Sequence, residues 1–394
     1  MAVGPPRVLH LNTERSFRGG EVQTLGLLRE LARQGLGPLL AAPPAAPLAQ
    51  RAAREGIPVF PWFPRGEADP VAAWRIFRLA RREGVDLLHA HTAHALTPAL
   101  AAGFLGGLPV VATRRVSFPI RGPLSRWKYR KASAVAAVSG AIARDLAAAG
   151  VPEGRLRVIH SAVDLERLLP LPPREEARRR LGLEGMQAVV GVAAALAHHK
   201  GHAVLFEALP DLLRGEPGLV VLLAGEGPLR QELQEHAEGR RLPVRFLGHL
   251  EDLRDFYASL DLLVLPSLSG EGSPGAVKEA AAAGVPVVAT RSGGTGEVLR
   301  EGREALLVPP GDAGALAEAV RRLLADRHLA CRLAAQARER SRDFGMDRMA
   351  QAYLQLYGCL TGRAVPAGGA GDATGSGGRA SAGSGEGGAV PREG

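Results

Sequence analysis

"SGEGSPGAVKEAAAAGVPVVAT", residues 269–290, ends in an apolar run from Val285 to Thr290 that reads as a short buried strand. The stretch before it, Gly275 to Ala283, has helical length, and its small side chains predict close packing on a sheet. Glu279 sits within this helix and Glu271 in the loop that precedes it. Each carboxylate must face solvent or find a partner, because a buried unpaired charge is costly. A helix feeding a fully apolar strand is one turn of an α/β fold.

The same unit repeats along the chain. Apolar runs "RVLHLN" (7–12), "GPLLAAP" (37–43), "IPVFPW" (57–62), "DLLHAH" (86–91), "LPVVAT" (108–113), "SAVAAVS" (133–139) and "RVIHSAV" (157–163) alternate with segments of helical length. A second series follows in "AVVGVAAA", "LVVLLAG", "VRFLG", "DLLVLPS", "VPVVAT" and "ALLVPP". Such alternation predicts parallel sheets covered by helices on both faces. Two series predict two doubly wound Rossmann-like domains, 1–168 and 169–346, joined through the proline-bearing "LLPLPPREEARRR" (168–180). Open sheets of this class bind ligands beyond the carboxyl ends of their strands, so the site is expected in a cleft between the domains. The amphipathic stretch 347–361 is expected to pack back on the first domain, and 362–394, rich in Gly, Ala and Ser, is read as disordered.

The chain of 394 residues carries a net charge of +9, and its distribution is uneven. Residues 1–170 hold 23 Lys+Arg against 12 Asp+Glu; the remainder holds 26 against 28. Much of the excess lies in "RRVSFPIRGPLSRWKYRK" (114–131), which contains no acid and favours an anionic partner, whether phosphate, anionic lipid or nucleic acid, with a solvated basic face as the competing reading. No apolar run is long enough to span a bilayer, the start has no signal-peptide layout, and Cys331 and Cys359 form no spaced framework. A cytoplasmic protein without a structural zinc site is the expectation, peripheral at the membrane if the basic segment docks there.

Helix start signals precede Glu279. Ser273 reads as N-cap with Pro274 at the first helical position, leaving the N–H groups of Gly275 and Ala276 as free donors at a positive helix terminus. Gly275 and Glu279 share a face, about 6 Å apart along the axis. A phosphate at the terminus and a hydroxyl-bearing group such as ribose at Glu279 fit this layout. An ordinary helix glutamate is the competing reading. Only four of the 49 basic residues are lysines, and Lys200 follows the first strand of the second domain beside Gly201, a position suited to a point charge on phosphate. The loops "RSFRGGEVQTL" (15–25), with Gly19 and Gly20, and "RSGGTGEVL" (291–299) each present backbone donors after a strand.

Together these residues resemble retaining glycosyltransferases of family 4. The resemblance rests on Glu271 and Glu279 with seven residues between them, on "HHKGH", "LLAGEGPLR", "VRFLGHLEDLRDFYASLDLLVLPS" and "AAGVPVVATRSGGTGEVL", and spans about residues 7–360. It implies a GT-B fold and a nucleotide-sugar donor held mainly by the second domain. It also implies Glu279 on the ribose hydroxyls, Glu271 on the transferred sugar, Lys200 on the pyrophosphate and the backbone from Phe246, Leu247 and Gly248 to His249 along the base. Gly19 and Gly20 would approach the reacting groups from the side of a glycan or lipid acceptor. No metal or other cofactor is implied.

Two departures stand out. Ala194 and Ala195 occupy the region before Lys200 where the family often has an arginine, and Arg115 stands where it often has a histidine. Arginine is no base but holds phosphate well.

Competing functions are a nucleotide-sugar epimerase on the same architecture, a nucleic-acid-binding protein, and a metal hydrolase using His89, His91 and His94. The second lacks recognition motifs and stacking aromatics. The third lacks a further matching cluster in the sequence.

Overall fold

The computed structural model describes residues 4–118, 120 and 122–366. Two parallel sheets form, and all thirteen strands fall within the apolar runs or one residue beyond them. The first contains β1 (Val8–Leu11), β2 (Leu39–Ala42), β3 (Val59–Pro61), β4 (Leu87–Ala90), β5 (Val110–Arg114), β6 (Ala134–Ala137) and β7 (Leu156–Val158). The second contains β8 (Ala188–Ala193), β9 (Leu219–Ala224), β10 (Val244–Gly248), β11 (Leu262–Leu265), β12 (Val287–Thr290) and β13 (Leu306–Val308). Their orders are β3-β2-β1-β4-β5-β6-β7 and β10-β9-β8-β11-β12-β13, the doubly wound arrangement in which the winding reverses beside the first strand.

The strands read as continuous apolar runs because both faces of each sheet are covered. In the second domain one apolar layer gathers Val190, Val221, Val264 and Val288, and the opposite layer gathers Val189, Val220, Leu263 and Val287. In the first domain Leu9, Leu88 and Val135 face one layer, while Val8, Leu87, Val111 and Ala134 face the other. That second layer is closed by Leu27 and Leu31 of the helix Gly19–Arg33 and by Met349, Tyr353, Leu354 and Tyr357 of the helix Met346–Thr361. The chain thus crosses back from the second domain and completes the core of the first.

Three local expectations change. The helix at 275 begins one residue later than its signals suggest: Pro274 is the N-cap, and the Ser273 hydroxyl has no partner. The segment 168–180 is only partly a linker, since the helix Arg174–Arg180 docks on the second domain through Arg178, which donates to Asp261 at 2.6 Å. Order also persists past 362: Gly362 ends the last helix in a left-handed turn and Arg363 pairs with Asp86. The rest of the expected disordered tail, 367–394, lies outside the described residues.

Candidate functional site

The reversal of winding brings the loops after β8 and β11 side by side. A side chain at Gly201 (φ +69°) would place its Cβ 2.0 Å from the Pro266 carbonyl oxygen, so only glycine lets the two loops touch. Lys200 therefore reaches Glu271, donating from Nζ at 2.6 Å, and the Ser267 hydroxyl donates to the same oxygen at 2.5 Å. Glu271 is only 4% exposed, so the buried carboxylate that its loop position left unexplained has its partners. The glycine loop at 291–299 backs this arrangement. A Cβ on Gly293 would lie 1.9 Å from the Glu271 carbonyl oxygen, which accepts from Gly294 N–H at 2.9 Å. That amide holds the Glu271 backbone and is not the open cleft donor that the sequence predicts.

Four residues beyond Gly275, the Glu279 carboxylate lies 3.9 Å from where a Cβ on that glycine would stand. The N-cap of this helix, Pro274, supplies no side-chain hydrogen bond to the N–H groups of the first turn, and the helix follows directly on the loop that carries Glu271. Tyr257, buried on the helix Arg254–Ser259, donates its hydroxyl to Glu279 at 2.7 Å. Burial raises the Glu279 carboxyl above its ordinary value, opposed by the Tyr257 hydrogen bond and by the charges of Lys278 and Arg167.

Glu279 opens onto a cavity of about 260 Å³ between the domains, walled by Gly19, Val22, Arg167, His249 and Glu251. His249 and Gly19 thus meet Glu279 there. The side chains of Phe246 and Leu247 pack against the two apolar layers of the second domain and Gly248 lies near the Glu226 carboxylate, so along this stretch the base would meet backbone. Alternation along β10 sends the Phe246 and Leu247 side chains to opposite faces of the sheet, and of residues 246–249 His249 lines this cavity.

The first domain contributes the start of the helix Gly19–Arg33. Glu21 folds back to accept from Arg18 N–H at 3.1 Å, leaving Gly19 and Gly20 at an open terminus. A Cβ on Gly20 would lie 3.8 Å from Cδ of Arg115. Arg115 donates to the His91 carbonyl at 3.1 Å and lies 3.3 Å from His91 Nδ1, with no carboxylate in ion-pair range among the described residues. Burial lowers its pKa from the usual arginine range, and it remains a cation.

Behind Arg115 lies a polar core the sequence only partly reveals. His10 Nδ1 meets His91 Nε2 at 2.9 Å, and His89 bonds the Tyr357 hydroxyl and the Thr113 hydroxyl, each at 2.7 Å. Burial keeps all three imidazoles neutral, His10 down to about 3 and the others well below their ordinary range. Their nitrogens lie within 4.8 Å of one another, so the cluster sought for a metal hydrolase has a third member in His10. His94 is not that member, since its ring pairs with Glu67 at 3.0 Å. Both nitrogens of His89 are already used by hydroxyls and Arg115 adds a neighbouring cation, so the donor set suits a hydrogen-bonded core better than an ion. The signal for His10 was its register: it pairs with His89 across β1 and β4.

The domains touch closely around this site. A Cβ on Gly272 would stand 2.4 Å from the Arg115 carbonyl oxygen. Glu297 accepts from Gly140 and Ala141 N–H at 2.6 and 2.9 Å, across the gap. Lys278, fully buried, donates to the Ser161 carbonyl and hydroxyl.

Residues 187–326 match the family described as Glycosyl transferases group 1, and residues 17–167 match Glycosyltransferase Family 4. The chain is also 32% identical over 293 residues to the glycogen synthase of Mycobacterium tuberculosis, covering 69% of this chain and 68% of that protein. It belongs to glycosyltransferase family 4. The transferase is likewise 30% identical over 285 residues to the lipopolysaccharide core biosynthesis glycosyltransferase LpsE of Rhizobium meliloti, covering 72% and 78%. In fold it is similar to Anabaena HepE crystallised with UDP, with a TM-score of 0.79, 23% identity and coverage of 90% of this chain and all of that one. It therefore has the GT-B fold and moves sugar from a nucleotide-sugar donor in glycan synthesis.

Proposed function

We propose that the enzyme transfers a hexose-type sugar, with retention of anomeric configuration, to a glycan or glycolipid acceptor of the cell envelope. The observation that carries this reading is the alignment of an open helix terminus at Gly275, Glu279 on the cavity, and the Lys200–Glu271 pair. In this reading the ribose hydroxyls donate to Glu279 and the diphosphate lies at the Gly275 and Ala276 amides. Lys200 exchanges its carboxylate partner for phosphate, which frees Glu271 for the hydroxyls of the sugar. The bond from the anomeric carbon to the phosphate oxygen breaks and the bond to the acceptor oxygen forms on the same face. The acceptor proton passes to the departing phosphate. That step needs no protein base, which agrees with an arginine at position 115, whose cation suits developing phosphate charge.

Lys200, Arg115 and the two amides supply enough positive potential that no divalent metal or other cofactor is invoked. The exposed thiols Cys331 and Cys359 suit a cytoplasmic setting, and the basic first domain suits peripheral association with an anionic membrane. A panel of uridine and guanosine diphosphate sugars, read by nucleotide release and by NMR of the sugar product, tests the reading. A product with inverted configuration would remove retention, and a free isomerised sugar formed without acceptor would make the protein an epimerase. Activity that vanishes with a chelator and returns with a divalent ion would reverse the metal statement.

A further inference from the structure

The basic stretch 114–131 separates in space. Arg114 is buried and donates to the Phe118 carbonyl, and Lys128 is buried and donates to Glu67 at 2.8 Å, so neither serves an outside partner. Arg126, Arg130 and Lys131 are exposed on the helix Pro123–Lys131, with no carboxylate partner among the described residues. No Asp or Glu occurs between Asp86 and Asp145.

The neighbouring helix Ala93–Gly106 contains no Asp, Glu, Lys or Arg, yet its end is open to solvent: Phe104 is 89% exposed and Leu105 54%. Leu124 and Trp127, on the basic helix, are 50% and 46% exposed. Between the helices runs a groove of about 640 Å³, lined by Leu100, Phe104, Leu108 and Trp127 with Lys131 among its walls. On its other side Trp127 borders a second hollow with Arg126 and Arg130. A contiguous apolar patch of this kind marks an interaction surface.

We propose that this face docks the enzyme on an anionic lipid bilayer, with Phe104, Leu105, Leu124 and Trp127 entering the interface and Arg126, Arg130 and Lys131 on lipid phosphates. The proposal deepens the membrane partner proposed above and rests on that reading. Aromatic rings settle at the headgroup level and basic residues add attraction to an anionic leaflet. A second copy of the same face would bring like charges together, and a nucleic acid would leave the aliphatic groups without an apolar surface.

Sedimentation with phosphatidylcholine vesicles, with and without phosphatidylglycerol, at low and high salt, tests it, with UDP and GDP titrations on the same preparations. The wild-type chain should partition onto phosphatidylglycerol vesicles at low salt and leave them at high salt. Phe104→Ser and Trp127→Ser should each lower the partition about tenfold, and Arg126→Gln with Lys131→Gln should reduce its salt dependence, with nucleotide affinity unchanged. A wild-type chain that stays in solution at low salt overturns the proposal, as do variants that bind like wild type. Variants that turn a dimer into a monomer while vesicle binding stays constant would assign the face to a second copy. Failure of nucleotide binding alone would count against the transferase reading and leave the docking result standing.

Discussion

At the scale of single residues, the two glutamates make different demands. Glu279 accepts from Tyr257 and faces the cavity, so Glu279→Gln keeps its shape and one acceptor while losing the charge. Hydrogen bonds to charged groups contribute about 1.5–3 kcal/mol. Isothermal titration should show affinity for the cognate nucleoside diphosphate falling roughly ten- to a hundredfold, with the melting temperature little changed; unchanged affinity would leave Glu279 an ordinary helix residue. Glu271 and Lys200 are coupled. Lys200→Ala leaves a buried carboxylate uncompensated, which costs about 3–5 kcal/mol of stability. In the double variant Lys200→Ala/Glu271→Gln, stability should largely return while diphosphate binding stays weak. Recovery of both would mean that Lys200 serves only the fold. All three residues were legible in the sequence because their spacing and scarcity mark them. Tyr257 was not, since its contact arises only when two helices 22 residues apart pack together.

Elements were legible wherever apolar periodicity decided them, and less so where a partner from elsewhere did. Lys128 read as part of a solvated basic block because Glu67, 61 residues away, is invisible to local patterning. Buried histidines are a similar case. His202 opens the helix His202–Gly215, is 2% exposed, and has no hydrogen-bond partner at either ring nitrogen. Burial lowers its pKa from the ordinary 6.5 to about 4. Between these values the unfolded chain holds the proton and the folded chain does not, so folding stability is full above pH 6.5 and declines as pH falls towards 4. The loss reaches about 3 kcal/mol at the lower end for this one group. His202→Leu should flatten the dependence of the denaturation midpoint on pH in that window by about one proton. An unchanged slope would place the titration elsewhere.

At the scale of the whole molecule, the proposed site draws on both sheets, and neither sheet alone holds the full set of groups. Arg115 and Gly19 come from the first domain, Lys200, Glu271 and Glu279 from the second. The fit between them has a narrow point at Gly272, where a methyl group would stand 2.4 Å from the Arg115 carbonyl oxygen and 3.1 Å from Val138 and Ile142 side chains. Backbone on one side and packed core on the other leave no room to yield, and Gly272 lies outside the left-handed region, so Gly272→Ala adds bulk without backbone strain. The variant should therefore open the cleft while leaving each domain folded. If nucleoside diphosphate is held mainly by second-domain groups, as proposed, it should bind within a few-fold of wild type, whereas transfer should fall at least a hundredfold, because a displacement of about 1 Å at reacting groups costs that much. Small-angle scattering should report a larger radius of gyration for Gly272→Ala. Full transfer activity in the variant would show that the closed contact between Gly272 and Arg115 is not the arrangement in which chemistry occurs.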